Sequence, residues 1–302
     1  MTAIRERYAL VYEPLDHPPT REELQRGFAE ADAVISTLAE YVDDSVLAGA
    51  SRLKIIANYA VGYNNIDVVA AGRKGIAVSN TPDVLTDATA DLTWALLLAV
   101  SRRVVEGDRW LRTGQWPGWA PTQMLGSNIT GKTLGIIGMG RIGQAVALRA
   151  AGFRMPVLYA SRHPVTAPAG LTWYRCSIDE VLRQSDFLSL HVPLTDATRY
   201  LIGAHELEHM KPTAFLINTS RGPVIDEGAL VSALEIGLIA GAGLDVYEHE
   251  PAVHPTLATF SNVVLLPHLG SATLETRLRM GVICLENVAA VLSGKPAPNR
   301  VA

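Results

Sequence analysis

Apolar positions along the chain cluster in short, almost unbroken runs instead of alternating with polar ones. The clearest lie at 53–57, 76–79, 134–137, 157–159, 187–190, 214–217, 242–246 and 263–266. Runs this short, rich in Val, Ile and Leu, predict strands. The helical stretches between them predict repeated β-α-β units and a parallel sheet. A longer Ala- and Leu-rich stretch at 86–112 predicts one helix, long enough to bridge two domains, with Thr86 and Asp87 resembling an N-cap. Past it, G-Q-W-P-G-W-A-P at 114–121 breaks regular structure and predicts a linker or an interface loop. A last helix is predicted at about 275–292.

The run at 134–137 leads into G-M-G-R-I-G at 138–143, near the middle of the chain. A strand, a G-x-G-x-x-G loop and a helix start form a dinucleotide-binding pattern. Gly138 serves the sharp turn, Gly140 the close approach to a pyrophosphate and Gly143 the packing of helix on strand, with Arg141 and Ile142 between them. Strands and helices also precede this unit. The pattern therefore predicts an α/β protein of two Rossmann-like or flavodoxin-like domains with parallel sheets, the cofactor domain inserted in the substrate domain. Residues 1–96 and 278–302 are assigned to the substrate domain, and 97–277 to the dinucleotide-binding Rossmann domain.

Composition excludes several other classes. A chain of 302 residues, 48% hydrophobic and 19% charged, has the make-up of a two-domain soluble protein. No apolar run approaches the roughly 18 residues that span a membrane, and the charges in M-T-A-I-R-E-R-Y argue against a secretion leader. Cys176 and Cys284 form no C-x-x-C pair, which argues against a disulfide framework or a metal site and fits a reducing cytoplasm. A net charge of −4 argues against nucleic acid as a partner.

In an open parallel sheet, ligands bind beyond the carboxyl ends of the strands, so the polar residues just past each run carry the most information. Those ends are His191-Val192-Pro193, Asn218-Thr219-Ser220-Arg221, Tyr247-Glu248-His249-Glu250 and Pro267-His268. Arg221, Glu250 and His268 converge on one rim. Taken singly, they could cap carbonyls, pair with a surface lysine or sit hydrogen-bonded in a core. Taken together, they supply a fork for a carboxylate, a proton donor and a carboxylate that favours the imidazolium. That combination suits reduction of a carbonyl by hydride from a nicotinamide. A NAD-specific site places an acid about 20 residues past the first glycine. Here Ala160 stands at that place, followed by Ser161 and Arg162, groups that suit a 2′-phosphate. NADP(H) is therefore the expected cofactor, with NAD(H) as the second candidate.

G-x-G-x-x-G at 138–143, H-V-P-L-T at 191–195, N-T-S-R-G at 218–222, G-L-D-V-Y-E-H-E-P at 243–251 and P-H-L-G-S-A-T at 267–273 together resemble the D-isomer-specific 2-hydroxyacid dehydrogenases. N-Y-A-V-G-Y-N-N-I-D at 58–67 resembles their glyoxylate/hydroxypyruvate reductase members, whose relatives include 2-ketogluconate reductases. The resemblance implies that Arg221 binds the carboxylate and carbonyl oxygen of a small 2-keto or 2-hydroxy acid, that His268 is the acid/base and that Glu250 is its partner. It implies that backbone N–H groups at Val61 and Gly62 hold the substrate carboxylate from the opposing domain. It also implies that Asp245 contacts the nicotinamide amide, and that His191, Val192, Pro193, Thr219 and Gly270 line the cofactor. A homodimer is expected. Trp110, Trp116 and Trp119 fall where the family carries a dimer arm, although they could equally fill an intramolecular core. E-P-L-D-H-P-P-T at 13–20 stands where relatives carry an extra helix and strand, so a trimmed substrate domain is expected.

Two other readings share these motifs. One is a dinucleotide-sensing interaction protein like the corepressor relatives, against which the lack of acidic or motif-binding extensions argues. The other changes the hydride donor, as in formate and phosphite dehydrogenases, against which the missing acid argues.

Overall fold

A computed structural model describes residues 2–11 and 19–301; most of the 13–20 stretch, on which the expectation of a trimmed start rests, lies outside the described residues. The chain divides into two compact units. Residues Met1–Leu85 and Thr273–Ala302 form the first, and Thr86–Ala272 the second.

The first unit holds α1 (Thr2–Arg5), α2 (Arg21–Glu30), β1 (Ala33–Ser36), β2 (Ile55–Asn58), α3 (Val68–Arg73) and β3 (Ala77–Ser79), and the chain returns to it through α10 (Leu274–Leu292). Its three strands are parallel in the order β1-β2-β3. Side chains alternate across β2, because successive Cβ atoms leave a strand on opposite faces. Ile55 and Ala57 meet Cys284 and Val288 of α10, whereas Ile56 joins Phe28, Val46, Leu47 and Val78 on the other face. Helix α2 starts at a reciprocal Thr20–Glu23 capping box, and Thr273 caps α10 by accepting from the Thr276 N–H.

The second unit contains α4 (Thr86–Ser101), α5 (Val104–Arg112), β4 (Leu134–Ile137), α6 (Arg141–Ala150), β5 (Val157–Ala160), β6 (Trp173–Arg175), α7 (Ile178–Gln184), β7 (Phe187–Leu190), α8 (Ala204–Glu208), β8 (Phe215–Asn218), α9 (Glu227–Glu235), β9 (Gly241–Leu244) and β10 (Val263–Leu265). Seven parallel strands run in the order β10-β9-β8-β7-β4-β5-β6. Five of them, β4, β5, β7, β8 and β9, are buried at every residue, as expected for a sheet covered on both faces. The sheet grows outward from β4 in both directions. The carboxyl ends of β4, β5 and β7 therefore frame the switch point where ligands bind.

Three features depart from the pattern-based expectation. The stretch at 86–112 is two helices, because Arg103 adopts φ +54° and breaks the helix. The Ser127 N–H reaches the Ser101 carbonyl from outside the segment (2.8 Å), and within it Arg103 pairs with Glu106 (2.7 Å). Thr86 is the first residue of α4 and not its cap. Strands β1 and β6 lie outside the apolar runs; both are sheet edges, partly exposed and without a long apolar signature.

The boundaries between units fall after Leu85 and after Ala272, ahead of the expected 96/97 and 277/278. Helix α4 belongs whole to the second unit, where Trp94 stacks on Phe153 (4.7 Å) and donates to the Val146 carbonyl (3.1 Å). Among the described residues no helix is long and apolar enough to cross a membrane, no group of three or more metal-ligating side chains assembles, and Cys176 and Cys284 are free thiols.

Candidate active site

Glycine geometry shapes the end of β4. Gly138 has φ +100°, a conformation open to glycine, and a Cβ there would lie 2.6 Å from the His191 backbone. A Cβ on Gly143 would lie 2.2 Å from the Gly138 carbonyl oxygen, so α6 can pack this closely only with glycine there. Gly140, the N-cap of α6, has nothing within 4 Å of a Cβ position. The loop thus leaves open space in front of a helix N-terminus, where backbone N–H groups and the helix dipole favour an anion. This donor set fits the pyrophosphate of a dinucleotide.

The neighbouring strand ends are tied to this loop. Gly138 N–H donates to the Ala160 carbonyl (2.9 Å) and His191 N–H to that of Ile137 (2.8 Å). Past β5 the chain reads Ser161-Arg162-His163, with no carboxylate, and the Arg175 side chain grips this turn. His191 shares a hydrogen bond with the Ser189 hydroxyl (2.8 Å), and burial pushes it down to about 3, so it is neutral.

Hydrogen bonds between strand ends position the triad residues. Asp245 N–H donates to the Asn218 carbonyl (2.9 Å), and His268 N–H to the Asp245 carbonyl (3.0 Å). These bonds step from β8 to β9 to β10. Buried Asn218 shapes the first turn: its amide donates to the Arg221 carbonyl (3.0 Å) while its oxygen accepts from the Ser220 N–H (3.0 Å) and hydroxyl (2.8 Å). Arg221 donates to the Ser220 carbonyl (2.7 Å); desolvation lowers the pKa of its guanidinium, while the Glu250 charge favours the cation. Gly222 then passes so close to Tyr247 that a Cβ would stand 1.8 Å from that residue's carbonyl carbon and oxygen.

His268 has φ +54°, and its Nδ1 meets Glu250 Oε2 at 2.8 Å. An ionised carboxylate only accepts, so the network puts a proton on Nδ1 and leaves Nε2 to exchange one with a ligand. The other Glu250 oxygen accepts the Tyr247 N–H (3.1 Å). Burial raises the pKa of Glu250, but the hydrogen bond and charge of His268, the Tyr247 N–H and the Arg221 charge together hold it below the usual range. Asp245 is buried, and its two oxygens accept the N–H groups of Leu269 (2.6 Å) and Gly270 (2.8 Å), which fixes the segment that carries His268. Burial pushes Asp245 up to about 6, against the pull of those N–H groups and of His268.

Sequence patterns did not single out three supports. A relay runs along α4: Thr93 donates to the Thr89 carbonyl (2.8 Å), so the Thr219 hydroxyl donates to Thr93 (2.8 Å), and Thr89 donates to the Gly270 carbonyl (3.0 Å). Glu227 and Glu248 each accept the other's backbone N–H (2.6 and 3.5 Å), clamping α9 to the loop that carries Glu250. Arg175 is the third. Thr89 and Thr93 lie one helical turn apart in T-D-A-T-A-D-L-T, a spacing that puts them on one face of α4 without showing what they meet.

In the first unit, three successive carbonyls past β2 are tied inward. Ala60 accepts the Thr81 N–H (2.9 Å), Val61 the Asn80 amide (2.8 Å) and Gly62 the Asn58 amide (2.8 Å). A trans peptide points its N–H opposite its carbonyl. The N–H groups of Val61, Gly62 and Tyr63 therefore each face away from the partner of the preceding carbonyl. In the second unit, Trp116 and Trp119 are 49% and 81% exposed, which rules out an intramolecular core for these two.

Residues 94–270 match the family described as D-isomer specific 2-hydroxyacid dehydrogenase, NAD binding domain. The chain is 51% identical over 288 residues to a glyoxylate reductase of Thermococcus litoralis, covering 94% of this chain and 87% of that one. Among solved structures it resembles the TT0316 protein of Thermus thermophilus, with a TM-score of 0.92, 45% identity and coverage of 100% and 96% of the two chains. It also resembles an NADPH-dependent glyoxylate/hydroxypyruvate reductase from Sinorhizobium meliloti, solved with NADP and malonate. There the TM-score is 0.84 and the identity 37%, covering 91% of this chain and 85% of that one.

Proposed function

Because the chain belongs to the D-isomer-specific 2-hydroxyacid dehydrogenases, enzymes that use a nicotinamide cofactor on 2-keto and 2-hydroxy acids, we propose that it reduces glyoxylate, hydroxypyruvate or 2-ketogluconate to the hydroxy acid with NADPH. The observation that carries the substrate chemistry is the Nδ1 to Glu250 bond of His268 on the same strand-end edge as Arg221. Arg221 holds the carboxylate and carbonyl oxygen of the keto acid through its fork. The N–H groups of Val61 and Gly62 are assigned to the substrate carboxylate. His268 delivers the proton from Nε2 to the carbonyl oxygen, and Glu250 stabilises the imidazolium that precedes this step. The reduced nicotinamide, when bound, supplies a hydride to the carbonyl carbon. Gly138, Gly140, Arg141, Ile142 and Gly143 take the pyrophosphate, and His191, Val192, Pro193, Thr219, Asp245 and Gly270 are assigned to the rest of the cofactor.

NADPH is favoured over NADH because Ala160 stands where a ribose-binding acid would repel a 2′-phosphate, and Ser161 and Arg162 follow it. Steady-state kcat/KM for each cofactor tests this. NADPH should be the better substrate, and Arg162→Ala should weaken NADPH use selectively; a wild-type preference for NADH refutes the assignment. The exposed Trp116 and Trp119 support a homodimer, with these residues on the arm that packs across it.

A further inference from the structure

The turn after β5 is held at both ends by side chains outside the triad. Arg175, last residue of β6 and parallel-register neighbour of Tyr159, donates from Nη2 to the carbonyls of Ser161 (3.0 Å) and Arg162 (3.0 Å), and from Nε to Ser161 (3.3 Å). At the far end, the Tyr159 hydroxyl donates to the Val165 carbonyl (3.1 Å) and accepts the Val165 N–H (2.8 Å). Tyr159 is buried in the core, so that hydroxyl is a fixed post.

Peptide planarity gives the consequence. With the Ser161 and Arg162 carbonyls both turned toward one guanidinium, the N–H groups of Arg162 and His163 face away from it. Successive N–H groups aimed the same way beside an arginine side chain form a donor set for a phosphate. We propose that Arg175 is a positioning residue for the 2′-phosphate of NADPH: it sets the turn that presents Arg162 and the two N–H groups to that phosphate. The proposal rests on the NADPH reading above and adds to it a residue from the edge strand β6. The planar fork of arginine reaches two carbonyls at once, which no neutral side chain of that length does. A turn ordered before binding loses less freedom on binding. The gain goes chiefly to NADPH, since NADH offers these donors only a neutral 2′-hydroxyl in place of a charged phosphate.

The test compares the full-length wild type with Arg175→Met, Arg175→Lys, Tyr159→Phe and Arg162→Ala, measuring kcat and KM for NADPH and for NADH with a fixed 2-keto acid. Arg175→Met is expected to raise KM for NADPH about tenfold. Its kcat and its KM for NADH should stay within about twofold of wild type. Arg175→Lys should recover most of the loss, because an ammonium can donate to both carbonyls. Tyr159→Phe should shift KM for NADPH in the same direction, less strongly. An unchanged KM for NADPH in Arg175→Met, while Arg162→Ala raises it, overturns the role of Arg175 alone. An equal rise for both cofactors marks Arg175 as merely structural and also overturns it. A wild type that favours NADH overturns the NADPH reading, and this inference with it.

Discussion

Gly222→Ala should disable the enzyme although the glycine itself offers no chemistry. An added Cβ would stand 1.8 Å from the Tyr247 carbonyl carbon and oxygen and 2.5 Å from the Glu248 nitrogen, all backbone atoms that cannot rotate aside. Ordinary contact begins near 3.4 Å, so the two segments must part by about 1.6 Å. One segment carries Arg221, and the other carries Glu250, whose carboxylate accepts the Tyr247 N–H. Misplacing reacting groups by about 1 Å costs on the order of a hundredfold in rate, so kcat/KM for the keto acid should fall by at least about that factor. Overpacking should also cost about 1–3 kcal/mol of stability. NADPH affinity should fall less than kcat/KM, because the loop at 138–143 makes no use of Gly222 although Thr219 and Asp245 lie on the displaced segments. The assay is the initial rate of NADPH consumption with glyoxylate, paired with NADPH titration and a thermal melt. A variant with kcat/KM within about twofold of wild type and an unchanged melt would refute the packing argument.

Three further outcomes are expected. Gly140→Ala should leave the melt unchanged, since its Cβ meets nothing within 4 Å, yet raise KM for NADPH and NADH alike by about tenfold by filling the pyrophosphate space; unaltered KM values contradict the loop's role. Glu250 is ionised across the neutral range, because its pKa lies below the ordinary 4.5, and its contribution to stability is present above pH 4.5 and fades as pH falls through the depressed value. Glu250→Gln removes the carboxylate that His268 Nδ1 bonds, so kcat for reduction should fall at least about tenfold while KM for NADPH stays within about twofold; an unchanged kcat counts against the pairing. Asp245 rises from 3.8 to about 6 in the fold, so the native state holds its proton more tightly and this group's contribution to stability falls as pH rises through that window. The melting temperature of wild type minus that of Asp245→Asn should therefore decline between pH 4 and 6, and a flat or rising difference excludes the shift.

The buried strands and the polar residues just past them were legible in the sequence for one reason. A parallel sheet covered on both faces turns each strand into an apolar run, and every run then ends at the same edge, which is why Arg221, Glu250 and His268 could be placed together from the pattern alone. What escaped the pattern depends on partners distant in sequence. The helix break at Arg103 comes with the Ser127 N–H reaching the Ser101 carbonyl. Edge strands β1 and β6 lie partly exposed and carry no long apolar run, so neither they nor Arg175 stood out. Thr89 and Thr93 read as part of an apolar helix, because no local pattern shows that their hydroxyls meet Gly270 and Thr219.

Proton delivery by His268 during reduction of a 2-keto acid with NADPH is tested most directly by comparing wild type and His268→Gln, measuring NADPH consumption with glyoxylate and hydroxypyruvate alongside NADPH affinity. The wild type should turn over, while the variant should lose about 10²- to 10⁴-fold in kcat and still bind NADPH within about twofold of wild type. A wild type that consumes no NADPH with either acid, or a variant that keeps the wild-type kcat, would contradict that assignment.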